Sequence, residues 1–192
     1  MPLPSSSRCL RRRARGFSLP EVMTTLAIVG ITGTLAAPAV GELMVGNRMA
    51  SQANALISAL NYARSEAVGT GREVSLCPYE IVADATEANA RYRCADSASW
   101  AGGWMVVRAV VDEAGATTAG QQVLKLFGPL DHGDTLSGSA SRIDYLPTGF
   151  LANTGEPGFR LRPSACLDEQ QRDITLSLQG RPHVAISRCT AA

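Results

Sequence analysis

The stretch VMTTLAIVGITGTLAAPAV, residues 22–40, carries no charged side chain. As a helix rising about 1.5 Å per residue it would span roughly 30 Å, the thickness of a bilayer's hydrocarbon core. Thr24, Thr25, Thr32 and Thr34 moderate its hydropathy. Ahead of Gly16 stand Arg8, Arg11, Arg12, Arg13 and Arg15, and no acid. Cations on that flank place the N-terminus in the cytoplasm and the rest of the chain across the membrane. A secretory signal peptide shares the basic start, but the apolar run is longer than such signals use, and Glu21 stands at its front edge. A carboxylate at a membrane boundary calls for a partner. In a first helical turn it also meets the favourable end of the helix dipole. On the residues alone both readings of Glu21 stay open.

The helical pattern continues past the apolar run. Met49, Ala53, Leu56, Leu60, Ala63 and Ala67 recur at alternating spacings of four and three, an amphipathic stripe. Arg48, Asn54, Asn61 and Arg64 fall mostly elsewhere on the helix, and Gly69 and Gly71 end it. Pro38, with Gly30 and Gly33, is expected to weaken or kink the first half. Beyond Gly71 the pattern turns strand-like over 73–77, 104–111, 123–127, 142–146, 159–162, 174–178 and 184–187. Gly and Pro punctuate these runs, and Gln179-Gly180-Arg181-Pro182 reads as a hairpin turn. Residues 83–99 read as a polar loop. The expected fold class is α+β: one long N-terminal α-helix, transmembrane in its first half, packed on an antiparallel β-sheet domain.

Charge and cysteines narrow the function. The chain carries 18 Lys and Arg against 17 Asp and Glu, a net charge of +1. The five arginines before Gly16 leave 13 against 17 in the remainder, about −4, which excludes a bulk polyanion binder. Aromatic residues are few, so no stacking platform for single strands is evident. Cys9 precedes Gly16, and Cys77, Cys94, Cys166 and Cys189 follow it. Four cysteines in an exported domain suggest disulfides. Three pairings are possible. Cys77–Cys94 with Cys166–Cys189 closes a short loop in each half of the domain, and four buried thiols is the alternative. No CxxC pair is present and the two histidines lack ligand spacing, so no metal or other cofactor is expected. No GxSxG, HExxH or phosphate-loop pattern is present, and His132 sits in a turn-like Asp131-His132-Gly133-Asp134; an enzyme is not expected.

Arg15-Gly16-Phe17-Ser18-Leu19-Pro20-Glu21 resembles the type IV prepilin processing site. The resemblance implies cleavage between Gly16 and Phe17 by a prepilin peptidase, then N-methylation of Phe17. It further implies that Glu21 pairs with the N-terminal amine of a neighbouring subunit, two opposite charges satisfying each other in a low-dielectric bundle. Pro20 departs from the aliphatic residue usual there, but a first helical turn tolerates proline. The resulting domain boundaries are a cleaved basic leader over 1–16, a hydrophobic transmembrane and assembly helix over 17–41, its amphipathic continuation over 42–70, and a periplasmic β-rich domain over 71–192.

Further pieces follow in order: Ala63-Arg64-Ser65-Glu66-Ala67-Val68, Cys77-Pro78, Gly102-Gly103-Trp104-Met105-Val106-Val107 ending in Asp112, Ile143-Asp144-Tyr145-Leu146-Pro147-Thr148-Gly149, and Gly180-Arg181. Together they are similar to the GspH/FimT family of minor pilins and pseudopilins. The resemblance implies a minor pilin that joins a type IV pilus and supports its assembly, or a type II secretion pseudopilin, or a pilus-associated DNA-binding protein for natural transformation. The implied partners are the prepilin peptidase, other pilins or pseudopilins, the inner membrane, and DNA. The implied location is the inner membrane, single-pass with the C-terminal domain in the periplasm, then the pilus or pseudopilus. Some relatives contact DNA with a Gly-Arg-x-Arg motif in the last hairpin. The matching residues are Gly180, Arg181, Pro182 and His183, histidine replacing the second arginine. With Arg172 and Arg188 nearby, phosphate contacts here would be salt-sensitive and sequence-independent.

Overall fold

The structure, a computed structural model, describes residues 16–83, 91–111, 117–152, 155–166 and 170–189. Arg8, Arg11, Arg12, Arg13, Arg15, Cys9 and Asp112 lie outside these residues. Helix α1, Leu19–Thr70, runs on through Gly30, Gly33 and Pro38. The chain divides into two compact units, Met1–Gly41 and Glu42–Ala192, and α1 contributes to each.

In the second unit the apolar stripe faces inward. Met49, Ala53, Leu56, Leu60, Ala63 and Ala67 are all buried, joined by Ala59. The helix stops at Thr70, and Gly71 follows with φ 65°, the left-handed turn that closes helix C-termini.

Among the described residues nine strands follow: β1 (Val74–Ile81), β2 (Tyr92–Cys94), β3 (Trp104–Val111), β4 (Thr117–Phe127), β5 (Thr135–Gly138), β6 (Ile143–Tyr145), β7 (Gly158–Arg162), β8 (Gln171–Leu176) and β9 (Pro182–Ser187). They form two antiparallel sheets. One has the order β2-β1-β3-β4, with β6 also paired to β1; the other is β5-β7-β8-β9. Pro78 falls where β1 changes neighbour, from β6 at Val74–Leu76 to β2 at Tyr79–Ile81, a position where the missing N–H costs the ladder least.

One core unites the helix with both sheets. Leu56 and Leu60 pack in the same cluster as Val74, Leu76 and Val106 of the first sheet and Leu136, Phe159, Leu161, Ile174 and Leu176 of the second. Trp100 sits between, its ring edge-on to Phe159 and its Nε1 donating to Ala140 O at 3.1 Å. A smaller cluster of Cys77, Met105 and Val107 occupies the other face of the first sheet, beneath Tyr79, Tyr92 and Cys94. The polar stretch 83–99 is therefore more than a loop: β2 pairs with the end of β1 and roofs this second cluster. Its three residues, one of them charged, carry too little alternation to announce a strand. β5 escaped for the same reason, having one apolar residue in four.

Candidate functional site

The N-terminal unit presents an uncovered apolar helix. Ser18 O accepts from Glu21 N at 3.0 Å and from Val22 N at 3.2 Å, which starts the helix just after Gly16 and Phe17. Pro20 and Glu21 fall in the first turn. Phe17, Leu19, Met23, Leu26, Ile28, Val29 and Ile31 are each more than 60% exposed. A helix apolar all round is stable only where lipid or other protein covers it. Among the described residues no helix is long and apolar enough to cross a membrane. The four threonines lower its hydropathy, yet each hydroxyl donates to a carbonyl one turn back: Thr24 to Glu21, Thr25 to Val22, Thr32 to Ile28 and Thr34 to Ile31, at 2.8–3.0 Å. Hydroxyls satisfied in this way can enter an apolar bundle without an unpaired donor.

In the second unit, three separated sequence pieces meet at one junction. Arg64 of α1 donates from Nε to Gly149 O at 3.0 Å. Gly149 has φ 80°, and Gly149 N donates to Leu146 O. Gly180, in the turn between β8 and β9, has φ 70° and lies against Tyr145; a Cβ there would stand 2.5 Å from the Tyr145 ring. Tyr145 OH donates to Gly180 O at 3.3 Å. Burial pushes the Tyr145 phenol well above its ordinary range, with Arg64 pulling modestly the other way. Leu151 N donates to Leu178 O, a second tie between loop and turn. The motif pieces around Arg64, Tyr145–Gly149 and Gly180 thus hold the last hairpin in place; their chemistry is architectural.

A second clamp joins the helix to the loop before β5. Asp134 has a fully buried side chain and accepts from Arg48 Nε and Nη2 at 2.8 and 3.0 Å, from Gln52 Nε2 at 3.0 Å and from Ser164 N at 3.0 Å. Arg48 and Asp134 are 86 residues apart, and no local pattern pairs them. The disulfides are Cys77–Cys94 and Cys166–Cys189, with Cα atoms 5.6 and 5.9 Å apart. The first pins β2; the second ties the residues after β9 to the segment before β8.

The residues considered for DNA contact are not gathered together. Arg181 is exposed at the hairpin turn, and His183 is exposed one step into β9, opposite Thr175. Arg188 lies past the far end of β9, roughly 20 Å along the strand from Arg181. Arg172 is half-buried opposite Ile186 and Leu161, on the core-facing side of the sheet. Asp173 intervenes on the face His183 shares. It accepts from Arg160 Nε at 3.2 Å, from Gln171 Nε2 at 3.1 Å and from Ser187 Oγ. Burial pushes the pKa of its carboxyl up, but the hydrogen bonds from Ser187, Gln171 and Arg160 outweigh it and hold the carboxyl below its usual range. Among the described residues no group of three His, Cys, Asp or Glu side chains is placed to hold a metal.

Residues 11–37 match the family model described as Prokaryotic N-terminal methylation motif. A Type II secretion system protein H of Xanthomonas campestris pv. campestris is 37% identical over 62 residues, 32% of this chain and 37% of that one. The match therefore spans little more than a third of that relative's length. The fold is similar to the crystal structure of the type IV minor pilin FimU of Pseudomonas aeruginosa strain PAO1, with a TM-score of 0.50 at 21% identity, covering 72% of this chain and 89% of that one. A second crystal form of FimU gives 0.48. An N-terminal helix with a bare apolar first half, its continuation packed on two antiparallel sheets, is the pilin architecture. Residues 52–180, more than half of the sequence, match the model described as Type II transport protein GspH, and the chain belongs to that family.

Proposed function

We propose that this protein is a minor pilin of a type IV pilus that supports its assembly. The prepilin peptidase cleaves after Gly16 and methylates the amine of Phe17. The apolar helix holds the subunit in the inner membrane, with residues 71–192 in the periplasm, and later packs among the helices of other pilins. Glu21 then answers the Phe17 amine of a neighbour. The observation that carries this reading is the helix itself: apolar all round, uncovered in the single chain, and bearing one carboxylate in its first turn. In a low-dielectric filament core that carboxylate needs a cation, and a methylated N-terminal amine supplies one without a further side chain. Mass spectrometry of the mature protein tests the processing step, with a chain beginning at N-methylated Phe17 as the expected result. Glu21→Ala should be processed normally and then missing from sheared filaments. A mature N-terminus elsewhere overturns the reading.

A second reading, a pseudopilin of type II secretion, is favoured by the description of the matching family and by the Xanthomonas relative. It uses the same processing and the same helix. Deletion separates the two: loss of pili with secretion intact supports the first, the reverse supports the second. A pilus-borne DNA contact would rest on Arg181 and His183 at one end of the hairpin and on Arg188 and Arg172 toward the other. Gel-shift titration with Arg181→Ala and Arg188→Ala tests it; binding unchanged by both removes the hairpin from consideration.

A further inference from the structure

Among the described residues β4 pairs only with β3, and β9 only with β8, so each sheet ends on a strand with one margin unpaired. The other margins are short or covered. Gly138 N donates to Ala98 O and Trp100 N to Leu136 O beside β5, Ala152 N donates to Asp144 O of β6, and Gln121 Nε2 donates to Tyr92 O of β2. An unpaired margin is a template for another strand, and folded chains guard it with bulges or with charges turned inward. β4 has both guards. Its register against β3 shifts twice, and Lys125 turns toward the helix, with Nζ 5.4 Å from the Tyr62 ring and 5.0 Å from the Phe127 ring. β9 has neither. Its register runs unbroken from Gln171↔Ser187 to Leu176↔Pro182, and it holds no Asp, Glu, Lys or Arg.

The turn before β9 sets which of its backbone groups face outward. Ser177 N donates to Arg181 O at 3.0 Å, so these two residues form a bonded pair. Bonded pairs recur at every second residue of an antiparallel ladder. His183, Ala185 and Ser187 therefore turn their backbone groups to β8, while Val184 and Ile186 turn N–H and C=O to the open margin. The far side of β8 agrees: Leu176, opposite Pro182, donates its N–H to Pro157 O, away from β9. Pro182 also falls on the outward phase, where its missing N–H costs the ladder nothing. Val184 packs against the main core. Ile186 stands on the same face of the sheet, yet it is 62% exposed. The margin thus offers unpaired donors and acceptors beside a bare apolar side chain.

We propose that β9 receives an extended segment of a partner protein, added antiparallel as a fifth strand of the second sheet. The segment's N–H and C=O groups bond to those of Val184 and Ile186. Its side chains opposite these two residues lie on the core-facing side, so apolar residues at alternate positions cover Ile186. A helix cannot answer this margin, because its backbone groups are bonded internally. A second copy of β9 would meet the first across a two-fold axis and close on itself, whereas filament neighbours are related head-to-tail and bring different surfaces together. The choice of a partner over a second copy therefore rests on the filament reading; the open margin does not. It is the same in a pilus and in a pseudopilus.

The test titrates the full chain, ¹⁵N-labelled in detergent micelles, with the blocked peptide acetyl-Thr-Val-Thr-Val-Thr-N-methylamide. The amide protons of Val184 and Ile186 should move downfield saturably and exchange more slowly with solvent, while the amides of β4 stay in place. The same peptide N-methylated at both valines should bind roughly tenfold more weakly or worse, having lost its donors. Val184→Pro removes one outward donor without touching the bonds to β8, and should weaken the unmethylated peptide roughly two- to tenfold, the range of one hydrogen bond. Ile186→Lys sets a charge on the margin, should weaken the peptide similarly, and covers the case in which Val184→Pro does not fold. Three results overturn the proposal: no saturable shift at Val184 and Ile186; equal binding of the N-methylated peptide; or the same shifts on concentrating the chain without peptide, with a doubled protein mass in sedimentation, which gives the margin to a second copy. A mature N-terminus other than Phe17 would overturn the filament reading and leave the peptide titration unchanged.

Discussion

Gly180 illustrates what a single residue contributes. Its φ of 70° strains any side chain, and its Cβ position is already occupied by the Tyr145 ring. Gly180→Ala should cost about 2–4 kcal/mol, strain and overpacking together, in urea unfolding of the full chain in detergent. Gly71→Ala, with φ 65° and open space around it, should cost only about 1 kcal/mol. Comparable losses for the two would show that the contact with Tyr145 is unimportant. Tyr145 itself should make stability depend on pH. Its phenol ionises at higher pH in the folded chain than in the unfolded one. Its contribution is therefore complete below about pH 10, the unfolded value, and is lost as pH rises toward the folded one. Urea midpoints measured from pH 9 to 12 should fall more steeply for the wild type than for Tyr145→Phe. The sequence placed Gly180 in a hairpin turn, but not the reason for a glycine there: a ring 35 residues earlier in the chain.

At the scale of elements, the helix was the most legible. Its buried face repeats every three to four residues, so Met49 through Ala67 could be read as one stripe before any tertiary contact was known. Strands that alternate over four or more residues were legible too. β2 and β5 were not, because short strands with few apolar residues are made by their neighbours and by a disulfide, not by their own pattern. The Asp134 clamp was likewise beyond sequence, since its partners come from α1 and from the chain near Ser164. It should nevertheless matter greatly. Arg48→Met leaves the buried carboxylate of Asp134 without its bidentate cation, and should cost about 3–5 kcal/mol in chemical denaturation. Adding Asp134→Leu should recover part of that loss, because no uncompensated charge then remains. A double variant less stable than Arg48→Met alone would mean that Gln52 and Ser164 depend on Asp134 more than the charge pair does.

For the whole molecule, the two units divide stability from assembly. Every residue of the main core lies at Met49 or beyond, with Val45 the earliest one packed against it among the described residues. The first unit supplies apolar surface and a carboxylate, and its burial must come from elsewhere. A chain trimmed to begin at Glu42 should therefore keep the unfolding free energy of the full chain, to within about 0.5 kcal/mol, in urea unfolding, since distant and independent sites add. The same trimming should abolish both sedimentation with membranes and recovery in sheared filaments. The intact chain should sediment with membranes although Thr24, Thr25, Thr32 and Thr34 lower its hydropathy, because their hydroxyls are spent on the helix backbone. Replacing all four by valine separates these contributions. Membrane retention should rise or stay unchanged, since no external partner of the hydroxyls is lost. A drop in filament recovery, with retention intact, would instead assign the threonines to contacts between subunits.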